Sequence, residues 1–425
     1  MDTQTTGPTS SPPAPGIRLD LSWLPPIGMI GLSVANFVYR LLTLGIYDFW
    51  ARTEVRKRLW SAIRLDGEPL VYTGTGKELF LGFLIVFGVV LLPILFVSVA
   101  VVLIFSPNSP AVTVLNVLIY LAIIFLFGLG MYRAQRYRLL RTSWRGIRGS
   151  LEGRSLPYAT TYFLTMLLIP VTLGWIIPWR TTKLQAMITN DARFGSEPFA
   201  FRGTSGPLYA PFALLWFGVI ALSFLASLIS VVAGSLAAHL MGEENLGSAA
   251  RAQVLYLGLI AGFGLAYLLY LFMSAWYRAR TINHFADCTY IDNARFNGRL
   301  TGAGLLWIDL TNLAILAAGT LIVIALAAVI GVLFVTIAGT IAPESTLTTE
   351  EFTAYAATIA APLLVFIAVL SFTLLLPVTQ ARSMGYLINN LSLDGTLDVD
   401  KIRQSSADPM ATGEGLAQAF DVDAF

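Results

Sequence analysis

The stretch TLGIYDFWARTEVRKRLWSAIRLDGEPLVYTGT, from Thr43 to Thr75, decides how the chain folds. A second copy, from Thr172 to Thr204, reads TLGWIIPWRTTKLQAMITNDARFGSEPFAFRGT. The copies align without gaps and share their opening Thr-Leu-Gly, a Trp, an Arg, a Glu-Pro pair and a closing Gly-Thr. A repeat of this length at a constant offset indicates an architecture built from duplicated units.

The composition is that of a membrane protein. Of the 425 residues, 56% are hydrophobic and 12% are charged, with a mean hydropathy of +0.72, whereas soluble domains carry about 25% charged residues. The long continuous apolar runs indicate membrane helices rather than the alternating strands of an outer-membrane barrel. Because the formal net charge is only +2, we expect no nucleic-acid partner.

Cysteine and histidine are too scarce for most metal or catalytic-triad chemistry. The single Cys288 excludes an internal disulfide, and only His239 and His284 accompany it. We therefore expect no metal site and no cofactor. The N-terminal segment 1–26 is polar and rich in Pro, Ser and Thr, without the basic and apolar regions of a signal peptide, and it is predicted to be a disordered tail.

Six apolar segments are long enough to cross a bilayer, which takes roughly 20 residues. They pair into three helical hairpins and lie at about 79–105, 111–131, 209–240, 253–277, 308–341 and 358–378. The hairpin turns carry almost no basic residues. Most of the 27 Lys and Arg lie in the four other connections, 50–78, 132–157, 180–208 and 278–304. Short basic loops stay cytoplasmic, so both termini are predicted to be cytoplasmic.

Two apolar stretches remain, 27–49 and 158–179. Segment 158–179 joins two basic connections, so a single crossing would place one of them outside. Pro170 and Gly174 also interrupt it where a helix bends or ends. Both stretches are therefore predicted to be re-entrant or interfacial TLG segments. The alternative is that both are ordinary spans, giving eight in all, because the charge rule is statistical.

Each TLG segment passes into an amphipathic stretch and then into short β signals. Trp50 and Trp179 are predicted interface anchors, since Trp favours the headgroup level. The segments RLDGEPLVYTGT and RFGSEPFAFRGT, with weaker relatives at 144–153, 294–302 and 391–402, alternate as strands around turn residues. A lone hairpin is marginal in water. Together these segments predict a small cytoplasmic β-sheet.

The predicted fold is an all-α polytopic membrane protein with three transmembrane hairpins, two TLG segments and that small sheet. Its organisation follows the repeats. The predicted units are the disordered tail 1–26, repeat unit 1 at 27–157, repeat unit 2 at 158–304, the third hairpin at 305–390 and a cytoplasmic C-terminal tail at 391–425.

These motifs resemble the YjgN family of bacterial inner-membrane proteins of unknown function. The resemblance rests on LLTLGIYDFWARTEVRKRLW with LDGEPLVYTGTGKELFLGFL, on TSWRGIRGSLEG, on TLGWIIPW with RFGSEPFAFRGT, and on the terminal GEGLAQAFD. The second copy departs from the first at Ile176, Ile177 and Pro178, and the third hairpin lacks a clear TLG block. The resemblance implies the inner (cytoplasmic) membrane and supplies no activity or site residues.

Polar residues within membrane segments are functional candidates because they are costly there. The residues predicted to line a cavity or pathway are Arg40, Thr43, Gly45, Pro170, Gly174 and Asp309. Arginines beside the second span are predicted to contact anionic lipid headgroups: Arg133, Arg136, Arg138, Arg141, Arg145 and Arg148. The competing interpretation of Arg40 and Asp309 is an interfacial or structural ion pair.

Two functions fit these features. Duplicated units with breaks at corresponding positions are typical of transporters, so a transporter- or channel-like protein is the first hypothesis. The second is a non-catalytic membrane scaffold that binds anionic lipid or a protein partner through its basic cytoplasmic loops. An intramembrane enzyme ranks third, because no Gly-x-Ser-x-Gly, HExxH or Walker motif occurs, and no catalytic residue is assigned.

Overall fold

The computed structural model describes residues 19–106, 108–240, 248–341, 358 and 365–404, which are mostly helical. A π-helical turn, Phe87–Leu91, joins the third helix to the fourth. The helices are α1 (Met29–Leu42), α2 (Asp48–Ala62), α3 (Gly76–Val86), α4 (Leu92–Ile104), α5 (Pro110–Leu140), α6 (Ser155–Val171), α7 (Ile177–Asp191), α8 (Gly206–Leu240), α9 (Ser248–Asp287), α10 (Gly302–Ile341) and α11 (Leu376–Asn389).

Six stretches of the described chain are long and apolar enough to cross a membrane, as the sequence predicts, and the protein is an integral membrane protein. They are Gly76–Ile104, Pro110–Leu140, Gly206–Leu236, Tyr256–Asp287, Gly302–Leu333 and Val365–Asn389. The shorter apolar helices are α1 and α6. Parts of the predicted hairpin turns lie outside the described residues. They include residues 241–247 of the second turn and the whole of the third turn, 342–357.

Two of these helices continue well past their apolar parts. α5 reaches Leu140 and α9 reaches Asp287, so residues 132–140 and 278–287, predicted as connecting loops, are helical. A continuing helix satisfies its own backbone hydrogen bonds as it leaves the apolar region. In both cases the helix ends directly before a strand, which couples the membrane region to the sheet.

The predicted sheet is large rather than small, which corrects the all-α description. One antiparallel sheet has eight strands and a second has three. The strands are β1 (Leu21–Trp23), β2 (Ile63–Leu65), β3 (Glu68–Pro69), β4 (Val71–Tyr72), β5 (Thr142–Trp144), β6 (Ile147–Leu151), β7 (Ala192–Phe194), β8 (Glu197–Phe201), β9 (Thr289–Ile291), β10 (Ala294–Gly298) and β11 (Leu391–Asp394). Each is too short to be stable alone, so hairpins far apart in the chain pair to complete one another.

The order of the strands follows the chain. The eight-stranded sheet runs β11-β10-β9-β8-β7-β6-β5-β4, and β1, β2 and β3 form the other. Every helical unit that leaves the sheets returns to a strand paired with the one it left. The pairs that bracket these units are β1 with β2, β4 with β5, β6 with β7, β8 with β9, and β10 with β11.

An apolar core lies against the sheets and includes both ends of the described chain. Leu19, Leu397 and Ile402 are buried in it with Trp144 and Ile291. β1 and β11 lie within the segments 1–26 and 391–425, which the sequence predicts as tails. Residues 1–18 and 405–425, including the GEGLAQAFD motif, lie outside the described residues.

Both Thr-Leu-Gly tripeptides form the same left-handed turn between two helices. Leu44 and Gly45 have φ angles of 51° and 91°, and Leu173 and Gly174 have 50° and 83°. This conformation costs a leucine about 1–2 kcal/mol. The two leucines are 75% and 71% exposed, so each turn presents an apolar tip to its surroundings.

A threonine hydroxyl fastens each turn. The Thr43 hydroxyl donates to the Tyr39 carbonyl at 2.7 Å and accepts from the Tyr47 amide at 3.0 Å. The Thr172 hydroxyl makes the equivalent pair of bonds at 2.8 and 3.4 Å. The hydroxyl thus satisfies one backbone group of the ending helix and one of the beginning helix, which explains why threonine opens both tripeptides.

Candidate functional site: an arginine-lined pocket

A cavity of about 490 Å³ lies where α1, α2, the end of α5 and segment 372–384 meet. We call it the arginine pocket. Its polar lining consists of Arg40, Asp48, Arg52, Arg56, Gln135, Arg138, Thr142, Thr373 and Gln380. Its apolar lining comes mainly from Val55, Leu59, Trp60, Ile63, Leu70, Leu139, Phe372, Leu376, Pro377 and Met384. The pocket is therefore amphipathic, with a cationic part and an apolar part.

The first TLG turn builds one side of this pocket. Arg40 ends α1 and Asp48 begins α2, and the turn between them brings Arg40 Nη2 within 2.7 Å of Asp48 Oδ1. Arg52 Nε lies 2.5 Å from Asp48 Oδ2, one helical turn along α2. A single carboxylate thus orients two guanidinium groups, one of which, on Arg40, is only 5% exposed.

Arg56 and Arg138 supply the remaining positive charge. Both are 8% exposed. Arg56 Nη1 donates to the Tyr72 hydroxyl at 3.4 Å, and Arg138 Nη2 donates to Gln135 Oε1 at 2.8 Å. Four guanidinium groups and one carboxylate therefore line the cavity among the described residues. Guanidinium groups bind phosphate and carboxylate oxygens by charge-assisted hydrogen bonds, often two at a time, so an anionic group is the kind of ligand that this lining can bind.

The second TLG unit repeats the turn without the charges. The positions that match Arg40, Asp48, Arg52 and Arg56 hold Ile169, Ile177, Thr181 and Gln185. The two turns share their backbone conformation, so these charges are not needed to form the turn. The charged set is therefore specific to the first unit and is not a requirement of the turn.

The residues predicted to line a pathway do not lie together in the structure. Arg40 lines the pocket, whereas Thr43 and Gly45 form the turn beyond it. Pro170 lies in the last turn of α6, and Gly174 belongs to the second turn. The structure thus brings the TLG residues into two separate turns, of which the described residues place only the first beside the arginine pocket.

Asp309 pairs with Arg278 at 2.7 Å, between α10 and α9. Both side chains are about half exposed. The bridge lies outside the lining of the arginine pocket, and an ion pair of this exposure contributes little to stability.

The six arginines predicted to contact headgroups differ in their surroundings. Only Arg138 lines the pocket. Arg141 pairs with Glu78 at 2.8 Å, and Arg145 pairs with Asp66 at 3.1 Å. The remaining three, Arg133, Arg136 and Arg148, range from exposed to half-buried.

The two predicted interface tryptophans also differ. Trp50 is half-buried and contacts the rings of Tyr47, Phe49 and Phe80. Trp179 is 43% exposed, which suits a side chain at the headgroup level.

Sequence reasoning missed Asp48, Arg52 and Arg56 as site residues. Their spacing of four residues places them on one face of α2. Comparing the two copies identifies this charged face as specific to the first copy, because the matching positions of the second copy are uncharged. Gln135 and Gln380 carry no comparable signal, because only the packing of α5 and α11 brings them to the pocket.

The acidic, histidine and cysteine side chains of the described residues do not cluster. No group of three His, Cys, Asp or Glu side chains there could hold a metal ion. Cys288 Sγ lies 3.9 Å from His284 Nδ1. Burial raises the pKa of the Cys288 thiol, which disfavours the reactive thiolate.

Comparison with known proteins agrees with the membrane assignment. The family described as "Bacterial protein of unknown function (DUF898)" matches residues 28–419. "Inner membrane protein YjgN" of Salmonella typhimurium is 36% identical over 56 residues, or 13% of this chain and 14% of that protein. Its namesake of Escherichia coli K12 is 26% identical over 156 residues, 36% of each chain. These matches confirm the resemblance to the YjgN family.

The matched part therefore spans 14% of the length of the Salmonella protein and 36% of the length of the Escherichia coli protein. No solved structure matches this chain.

Proposed function

We propose, on the premise that this chain belongs to the DUF898 family of bacterial proteins, that it is an inner-membrane protein that binds the anionic headgroup of a membrane lipid in the arginine pocket. The location is that of its relatives in Salmonella typhimurium and Escherichia coli, which are named inner membrane proteins. The observation that carries the binding function is the pocket itself, where three arginines at most 8% exposed share one cavity.

The apolar lining favours a lipid over a soluble anion. Phe372 and Leu376 belong to the stretch around the start of α11, within a candidate membrane span. Val55 and Leu59 add the apolar side of α2. A small hydrated anion gains nothing from these groups, whereas a headgroup attached to acyl chains contacts the arginines and the apolar surface together.

The test is the affinity of the purified full-length protein for two lipids with identical acyl chains. Both lipids carry a phosphate, but the choline cation of phosphatidylcholine is repelled by the arginines, whereas phosphatidylglycerol has a net negative charge. In neutral detergent we therefore expect at least a tenfold preference for phosphatidylglycerol, which corresponds to about 1.4 kcal/mol. Equal affinities would overturn the proposal. Displacement of phosphatidylglycerol by inorganic phosphate at equal concentration would instead identify a soluble anion as the ligand.

The proposed sidedness places both sheets in the cytoplasm, with the basic connections. α1 and α2 lie between paired strands β1 and β2, and α6 and α7 lie between paired strands β6 and β7. A unit of this kind returns to the side on which it began. α1 has 14 residues and α6 has 17, and at 1.5 Å per residue each is shorter than the roughly 30 Å hydrocarbon core.

Single-cysteine labelling of the full-length Cys288→Ser protein checks this sidedness. We expect a membrane-impermeant maleimide to label Asn108→Cys in intact spheroplasts and to label Lys183→Cys only after permeabilisation, since Lys183 lies on α7. Both native side chains are exposed, which makes them matched probes. Labelling of Lys183→Cys without permeabilisation would show that α6 crosses the membrane.

Transport is the second candidate function. The two TLG turns, with the same left-handed backbone at matching positions, favour it because transporters bind substrates at paired breaks. It ranks below lipid binding because, among the described residues, the charged cavity adjoins the first turn and not the second. The cavity also reaches Thr142 of β5, beside the edge strand β4.

A further inference from the structure

A second cavity, of about 240 Å³, lies inside the core that covers the sheets. We call it the apolar chamber. Its wall is almost wholly apolar and includes Leu65, Trp144, Phe194, Phe199, Ile291 and Phe296. These six side chains come from six different strands, namely β2, β5, β7, β8, β9 and β10. The chamber is therefore a feature of the assembled sheets and not of any single repeat.

The apolar chamber adjoins the arginine pocket. Four residues line both cavities, and they form the partition between them: Ile63, Leu70, Leu139 and Thr142. The Thr142 hydroxyl accepts from Trp60 Nε1 at 2.7 Å and donates to the Arg138 carbonyl at 2.7 Å. Those two bonds satisfy the polar group of this partition, so the remaining contacts between the cavities are apolar.

The composition of the chamber restricts what can fill it. An apolar cavity offers water none of the two to four polar partners that a buried water needs. An unfilled cavity destabilises a fold in proportion to its volume. A ligand that gains binding free energy by filling this chamber must therefore be apolar. A ligand that also binds the neighbouring arginines must carry an anionic group at one end.

We propose that the apolar chamber holds one alkyl chain of the anionic lipid whose headgroup occupies the arginine pocket. This inference rests on the proposed function, because the arginine pocket supplies the charge that selects the ligand. It adds that a single chain leaves the bilayer and enters the sheet domain. A lipid with one chain should therefore bind as well as a lipid with two.

Chain length provides the first test. Alkyl phosphates of 4 to 16 carbons compete with phosphatidylglycerol for the full-length protein, and we expect affinity to rise about fourfold per methylene until the chamber is full. Lysophosphatidylglycerol should match phosphatidylglycerol within about threefold, or about 0.7 kcal/mol, because only one chain enters the chamber. Affinity that is independent of chain length would overturn the inference and leave the arginine pocket as a headgroup site.

Leu65→Phe reduces the chamber without touching the arginine pocket, whose lining excludes Leu65. We expect the optimal alkyl phosphate to become shorter while the affinity for the shortest one stays the same. A ratio of affinities within one protein does not depend on how much of the variant folds. An unchanged optimum would count against the chamber.

The position of the chain can be read directly. Phosphatidylglycerol with a diazirine at the end of one acyl chain should crosslink to peptides containing Leu65, Trp144 or Phe199. Crosslinks confined to α8, α9 and α10 would overturn the inference. Failure of the proposed function looks different, because phosphatidylglycerol would then bind no better than phosphatidylcholine.

Discussion

Arg56→Gln and Arg138→Gln should each weaken phosphatidylglycerol binding by tenfold or more, whereas Arg133→Gln should change it less than twofold. Glutamine keeps a polar side chain of similar length and removes the charge. Arg56 and Arg138 are 8% exposed and line the arginine pocket, where losing one charged partner of an anion costs about 2–5 kcal/mol. The readout is the dissociation constant of the purified protein in neutral detergent.

Arg133 is the matched control because it lies on the same helix as Arg138 but is exposed and outside the pocket. A protein that held lipid by its basic surface would lose similar affinity with either arginine, at about 1 kcal/mol per base. Equal effects of Arg133→Gln and Arg138→Gln would therefore favour the scaffold hypothesis. Arg138→Lys separates charge from geometry, since lysine keeps the charge and loses the planar fork.

The membrane helices could be predicted from the sequence because their signal is local and long. Each apolar run exceeds what a bilayer requires, and the part of the chain that the structure describes contains six candidate spans. Their ends were harder to predict, since α5 continues through the basic residues up to Leu140. Charge at the surface ends an apolar pattern without ending a helix.

The extent of the sheets could not be predicted for a physical reason. Strands such as β3 and β4 have two residues each, too few for periodicity to identify them. Their stability comes from partners across long separations, as where Val71 pairs with Ser143. The sequence signals predict that short strands exist but do not determine which of them pair.

The arginine pocket shows the same limit. The bridge between Arg40 and Asp48 depends on a leucine in the left-handed conformation, which local preference disfavours. Arg138 reaches the pocket only because α5 packs near α2. The stripe of Asp48, Arg52 and Arg56 is the part of this site that spacing alone reveals.

Gly262→Leu should give the largest loss of stability of any substitution considered. A Cβ atom at Gly262 would overlap Ser230 Oγ and lie 2.6 Å from the Ala226 carbonyl oxygen on α8. A Cβ atom at Gly258, four residues earlier, would likewise lie 2.9 Å from the Ser230 carbonyl oxygen. Membrane helices associate by such close contacts of small residues because lipid gives no hydrophobic drive between them.

A leucine at position 262 must separate α8 from α9 along this contact. We expect the free energy of unfolding to fall by roughly 3 kcal/mol or more, in the range of severe overpacking. The measurement is the thermal unfolding midpoint of the purified protein in detergent, together with its yield. A midpoint equal to that of the unaltered protein would show that α8 and α9 do not pack closely here.

Gly264→Leu is the control, two residues further along α9. No atom lies within 4 Å of a Cβ built at Gly264, and Gly264 is exposed, so a leucine there would extend away from α8. Because leucine favours the helix over glycine by somewhat under 1 kcal/mol, this variant should be as stable as the unaltered protein or slightly more. Similar losses at 262 and 264 would attribute the effect to added side-chain bulk in general, and only a loss confined to 262 identifies the contact with Ser230.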